Sequence, residues 1–233
     1  MSKLNFYKFK WTSYLKYFSL KLLVLLLITD LLLILFYVFC WLPSSSYLSI
    51  AFSKIILHQD LLWITEEQSY AEIFQYIKEL WIVLVLGFGY WQCKKKLFLA
   101  WTLLFNYLLL DDFLSIHEKI GLRVINFFHF QDILNLRAVD LGEILVSTTV
   151  GISFLILISW AYSQSNSIER KYGHILIFLL LILAISGIFF DLIHVVVYDN
   201  RNLNLIFALL EDGGEQIAMS FTLAFVYSID WKY

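Results

Sequence analysis

Proline occurs once in the 233 residues and glycine nine times. That scarcity argues against a membrane β-barrel, whose strands come as ~10-residue alternating segments separated by turn residues. Charge is scarce too. Only 15% of the residues are charged and 61% are hydrophobic, against about 25% and about 45–50% in soluble domains. A water-soluble globular domain is thereby excluded. The formal net charge is −2, so no strong basic surface exists for a polyanion and no nucleic-acid partner is expected. The two cysteines, Cys40 and Cys93, form no paired metal motif. They are expected near opposite membrane faces, which speaks against a disulfide. No repeat period and no low-complexity linker divides the chain, so residues 1–233 read as one domain.

What is present is a series of apolar runs about 20 residues long, the length an α-helix needs to cross ~30 Å of hydrocarbon. Six are visible, at 22–42, 73–92, 97–116, 144–162, 174–198 and 204–228. The expected fold is therefore all-α, an integral membrane bundle of six transmembrane helices. The second run is the weakest, because Lys78 and Glu79 lie near its start. Orientation follows lysine and arginine. Lys3, Lys8, Lys10, Lys16 and Lys21 precede or open the first run, Lys94, Lys95 and Lys96 fill the turn after the second, Arg170 and Lys171 follow the fourth, and Lys232 is near the end. Eleven of the 17 basic residues thus fall on one side, which predicts both termini in the cytoplasm. The N-terminal run is too long for a signal peptide and lacks a small-x-small cleavage site, so it reads as an uncleaved first span. The expected location is the cell membrane, of the bacterial inner-membrane type, with membrane lipids as the obligatory partners. Residues 43–72 and 119–140 hold aromatic, partly amphipathic stretches expected to lie on the opposite membrane surface.

The acids and histidines are unevenly placed. The third run ends in Asp111-Asp112-x4-His117-Glu118, the fourth opens with Asp140-x-x-Glu143, the fifth carries Asp191-x-x-His194, and the sixth carries Glu211-Asp212-Gly213-Gly214-Glu215. A carboxylate at bilayer depth costs roughly 2.5–3.5 kcal/mol even on lenient insertion scales. At 1.5 Å per residue these groups fall in one layer, in the outer half of the bilayer, with Asp30 the exception near the midplane. Asp111 shares a helix face with Ser115 and Glu118, Asp191 with His194, Glu211 with Glu215, and Glu143 with Ser147. His117 is roughly 120° from Asp111 on an ideal helix. It joins them only if the helix stops or loosens there, and Gly121 is a candidate stop signal.

Carboxylates and imidazoles suit a divalent transition metal, and acid-x-x-His projects two ligands from one turn. The expected ligand set is Asp111, His117, Glu118, Asp191, His194, Glu211 and Glu215, holding one or two ions of Zn, Fe or Mn. Asp112 and Glu143 are then candidate catalytic groups, acting as general base or orienting the ligands. The predicted activity is a metal-dependent hydrolase or di-metal oxidoreductase acting on a lipid or lipophilic substrate. A cation or proton transporter using the same carboxylates, with Asp30 extending the path inward, is the alternative. A structural membrane subunit with a buried polar network is a third.

These motifs resemble those of uncharacterised bacterial multi-pass membrane proteins, over roughly residues 97–228. That resemblance implies no activity. The chain is more loosely similar to the membrane hydrolases that include alkaline ceramidases and adiponectin receptors, which hold zinc with three histidines across seven spans. It lacks their closing His-x-x-x-His motif and one span, so none of their site residues carries over.

Overall fold

The computed structural model describes residues 18–41, 60–132, 137–197 and 200–231. Among these residues every regular element is helical. Helix α1 spans Leu20–Trp41, a 3-10 turn spans Asp60–Leu62, and α2 spans Tyr70–Cys93. They are followed by α3 (Lys96–Leu114), α4 (Ile116–Phe128), α5 (Ala138–Ser163) and α6 (Ser167–Ala184). Helix α6 runs on through a π-helical turn at Ile185–Phe190 into α7 (Asp191–Val197), and α8 spans Arg201–Tyr227. The six apolar runs thus correspond to α1, α2, α3, α5, α6–α7 and α8. Of the expected surface stretch at 43–72, residues 43–59 lie outside the described residues. The other contains α4, whose lipophilic end exposes Phe127 and Phe128.

Local signals account for where the helices begin. Ser69 Oγ accepts from the Glu72 amide at 3.2 Å and caps α2. The side chains of Asn166 and Asn200 cap α6 and α8 in the same way, each satisfying amides that have no partner within the helix. Arg137 pairs with Asp140 at 2.7 Å while the Arg137 amide donates to the same carboxylate. Asp140 therefore fixes the start of α5.

Four helical stretches are long and apolar enough to cross a membrane: Leu20–Trp41, Lys96–Leu114, Ala138–Ser163 and Ser167–Val197. The remaining two of the six expected spans, α2 and α8, carry charge inside their apolar runs: Lys78 and Glu79 on one, Glu211, Asp212 and Glu215 on the other. Those charges face inward. Lys78 and Glu79 are fully buried, whereas Leu25, Ile156, Trp91 and Phe189 lie outside with more than half their surface uncovered. Large apolar side chains outside and charged ones buried are compatible with a membrane protein.

Helix α8 is the centre of the bundle and packs on α1, α2, α6, the π turn and α7. It can do so because Ala208, Gly213, Ala218, Ser220 and Ala224, all buried, keep its surface thin. Small residues allow helix backbones to approach where no water is available to drive association. Trp101, Phe105, Leu86, Leu176, Met219 and Phe225 fill the larger apolar core, and Tyr37, Ile64, Ala71 and Ala208 a smaller one. The acids lie between helices on the side of the smaller core.

Candidate functional site

A cavity of about 190 Å³ opens between the N-terminal part of α2, the α3–α4 junction and α8. Seven carboxylates line it: Glu66 and Glu67 from the loop before α2, Glu72 from α2, Asp112 from α3, Glu118 from α4, and Asp212 and Glu215 from α8. Gln75, Gln216, Ser115 and Thr65 add neutral oxygens, and His117 is its one imidazole. No lysine or arginine is among the lining residues. Four of the predicted site residues, Asp112, His117, Glu118 and Glu215, therefore share one cavity.

His117 gets there because α3 ends earlier than the sequence suggests. Ser115 adopts φ 47° and ψ 52°, a left-handed conformation that breaks the helix between Leu114 and Ile116. The break swings His117 back. Its Nδ1 lies 3.1 Å from Asp111 Oδ2, and its amide donates to Asp111 Oδ1 at 2.8 Å. The hydrogen bond that His117 donates to the Asp111 carboxylate raises the imidazole pKa above its ordinary value, against the opposing effect of burial. Gly121 is not the stop signal. It lies inside α4, where a Cβ would come within 3.0 Å of the Glu143 amide nitrogen. Gly142 on α5 is tighter still: a Cβ there would come within 2.7 Å of the Gly121 carbonyl oxygen. This glycine-on-glycine crossing brings Glu143 next to His117 and Glu118.

Across α8, His194 Nδ1 is 2.6 Å from Glu211 Oε2, and Asp191 lies beside Glu211 with Glu143 and Asp140 as further acidic neighbours. The π turn before Asp191 contains Ser186 and Gly187. A Cβ on Gly187 would collide with Glu215 Oε1, and one on Gly214 would come within 2.5 Å of Ser186 Oγ. Gly187 thus makes the space that the Glu215 carboxylate occupies. Glu215 also accepts from Gln75 Nε2 at 3.2 Å. Gly213-Gly214 acts as a packing surface within a continuous helix. Turns of the π type interrupt α-helices mostly near functional sites.

Behind the cavity lies a polar network of which the sequence pointed only to Asp30, as an inward extension of a transport path. Lys78 Nζ is 3.0 Å from Asp30 Oδ1, 2.7 Å from both the Gln216 carbonyl and its side-chain oxygen, and 3.3 Å from Ser220 Oγ. Ser220 in turn donates to Asp30 Oδ2 at 2.5 Å. Glu79, next to Lys78 in sequence, is fully buried, and its carboxyl group is within hydrogen-bonding reach of the Asp112 carboxyl and of no N–H or hydroxyl donor among the described residues. What it faces is Asp112, with Glu215 next. A signal for these residues existed: Glu72, Gln75 and Glu79, spaced three and four apart, mark one polar face of α2. So do Asp212, Gln216 and Ser220 on α8.

The predicted ligands do not converge into one metal centre. No three His, Cys, Asp or Glu side chains among the described residues form a group able to hold a metal ion. The seven residues instead divide: Asp111 and His117 bind each other, as do His194 and Glu211, Asp191 stands beside the second pair, and Glu118 and Glu215 face the cavity. Each imidazole is turned toward the carboxylate nearest it, His117 toward Asp111 and His194 toward Glu211, so the side chains stand in separate groups. Of the two catalytic candidates, Asp112 lines the cavity and Glu143 lies at the α4–α5 crossing.

The fold and site define a helical protein with four stretches long and apolar enough to cross a membrane and one carboxylate-lined cavity. The chain belongs to the family described as a domain of unknown function, DUF8692, which matches residues 19–229. No curated protein and no solved structure gives a match.

Proposed function

We propose that this is a multi-pass cell-membrane protein that takes up cations or protons from the face opposite its lysine-rich segments. In this reading α1, α2, α3, α5, α6–α7 and α8 are six spans, both termini are cytoplasmic, and the membrane is of the bacterial inner-membrane type. One observation carries the functional reading: a 190 Å³ cavity lined by seven carboxylates and by no lysine or arginine. Such a surface attracts cations and repels anions, and low-dielectric walls focus its field. Carboxylates turned toward a bundle interior mark ion and proton pathways, and the Lys78–Asp30 pair lies directly behind this one. The test is flux into proteoliposomes carrying entrapped proton- and Mn2+-sensitive dyes. Uptake by the wild type that is lost in Asp112→Asn supports the reading. No cation or proton movement by folded, reconstituted protein refutes it.

A second reading has its own supporting observation. His117 engages a carboxylate through Nδ1, the arrangement that orients an imidazole to bind a metal through its other nitrogen. A Zn, Fe or Mn centre drawing on Asp191, His194, Glu211 and Glu215, with Asp111, His117 and Glu118 nearby, would supply Lewis-acid or redox chemistry toward a lipid-like substrate. Metal content by mass spectrometry tests it. About one or two equivalents of a transition metal in the wild type, lost in both His194→Ala and Glu211→Ala, support the enzyme; a metal-free folded wild type counts against it.

A further inference from the structure

Helix α4 divides its side chains by direction. Inward, Gly121 crosses Gly142 of α5, and His117 and Glu118 reach the cavity wall. Outward, Lys119, Ile120, Leu122, Arg123, Asn126 and Phe127 are all exposed. The rotation of about 100° per residue sorts these six. Lys119, Arg123 and Asn126, four and three apart, form one polar strip. Ile120 and Phe127, seven apart, form an apolar stripe beside it. The two charges on this outward side are both positive. Lys119 reaches back to the Leu114 carbonyl at the end of α3. Arg123 pairs with no carboxylate among the described residues.

The end of the helix adds an aromatic patch. His129 is left-handed, with φ 54°, and the chain turns back so that the Phe130 amide donates to the Ile125 carbonyl at 3.2 Å. The turn stacks Phe130 on Phe128 with ring centroids 5.9 Å apart, and Phe128 meets Phe127 edge-on at 5.0 Å. The three rings pack on one another and stay outside: Phe127 is 78% and Phe128 61% exposed. An apolar patch rimmed by polar groups marks an interaction surface, and the charge at its border selects the partner. A second copy of the chain fits poorly. A two-fold contact places a patch against itself, and here it would set cations against cations. A surface with phosphate above and hydrocarbon below satisfies both the strip and the stripe, as it does for basic amphipathic helices at a membrane boundary.

We infer that the outward side of α4 is a binding surface for anionic phospholipids, with Lys119 and Arg123 holding the headgroup and Ile120, Phe127 and Phe128 lying against the upper acyl chains. Arg123 offers the planar fork of donors that matches a phosphate. The inference rests on the membrane reading above and is independent of whether the cavity takes up an ion. The same helix carries His117 and Glu118, so a lipid held on its outer side steadies one wall of the cavity.

The test uses the full chain in lipid nanodiscs, with Cys40 and Cys93 replaced by alanine and a bimane fluorophore on Phe127→Cys. The quenchers are phosphatidylglycerol and phosphatidylcholine, each with a nitroxide high on one acyl chain, and aqueous iodide. The expected result is quenching by both lipids in preference to iodide, with the anionic lipid favoured about fivefold for each cation. Lys119→Gln combined with Arg123→Gln, both at exposed positions, should abolish that preference and keep the lipid quenching. Phe128→Cys gives the same readout should Phe127→Cys not fold. Equal quenching by the two lipids with both cations present overturns the inference, and so does quenching by iodide alone, which puts α4 in water. Protection from every quencher also overturns it and points to a protein, such as a second copy, on this face. A label at Ile156→Cys of α5, 66% exposed in an apolar span, separates the two readings. Lipid quenching there and not on α4 leaves the membrane reading standing, and none at either position removes both.

Discussion

Lys78 of α2 and Asp30 of α1 form an ion pair at 3.0 Å with both side chains buried. Gln216 and Ser220 of α8 complete the hydrogen bonds, so three helices meet at one ammonium group. Removing one partner leaves the other charge uncompensated. Lys78→Met is expected to destabilise the protein by about 3–5 kcal/mol, and Lys78→Met combined with Asp30→Leu to recover a substantial part of that loss. Thermal unfolding of the purified variants in detergent measures both. Equal stability of Lys78→Met and the wild type would show that the pair does not hold the bundle.

Gly187 and Glu215 form a second dependency. Gly187→Ala places a methyl where the Glu215 carboxylate lies, and the expected cost is about 1–3 kcal/mol, as for overpacking. Glu215→Ala in the same chain should relieve it. A double variant no more stable than Gly187→Ala alone would mean that the crowding is not with this carboxylate.

The α4–α5 crossing gives a contrast within one helix. Gly142→Ala meets the Gly121 carbonyl at 2.7 Å, whereas a Cβ at Gly151 meets nothing within 4 Å. Gly142→Ala should therefore lower the unfolding temperature. Gly151→Ala should leave it unchanged or raise it, by the ~0.5–1 kcal/mol advantage of alanine in a helix interior. Paired melts of the two variants decide this, and the idea is lost if both shift in the same direction.

His117 predicts a pH effect outside the membrane spans. Its hydrogen bond to the Asp111 carboxylate holds the imidazole pKa above the ordinary value. A raised folded-state pKa means that the pair's stabilisation is complete below the unfolded value of about 6.5 and is lost as pH rises through the higher folded value. Histidine NMR titration of wild type and Asp111→Asn checks the sign. The expected outcome is a downward shift of the His117 midpoint in the variant; an unmoved midpoint contradicts it.

Much of the helical layout was legible in the sequence because ~20-residue apolar runs need only composition to be seen. Tyr70–Cys93 and Arg201–Tyr227 fall within a few residues of the apolar runs read there. The cavity was legible only in part. Asp112, Glu118 and Glu215 stood out as charges in apolar surroundings, but Lys78 and Glu79 read as a defect in a span, because the one-dimensional pattern does not say which face of α2 is covered. His117 depended on a left-handed Ser115, a backbone state that serine does not announce. The convergence expected of Asp111, Asp191, His194 and Glu211 rested on shared depth. Depth gives one coordinate of three, and the imidazoles took partners within their own pairs instead of a common centre.

The π turn at Ile185–Phe190 carries a consequence for chain length. Such a turn is an α-helix with one residue too many, and the surplus sets the rotational phase of everything after it. Deleting a single residue there would let the helix close up into regular α geometry and leave the phase of Asp191 and His194 nearly unchanged, whereas winding the same residues into a regular α-helix would turn both by roughly 100°, away from Glu211. This stretch can therefore lose one residue more easily than it can lose its wide turn, and a substitution that tightens the turn moves His194 as surely as one that replaces it.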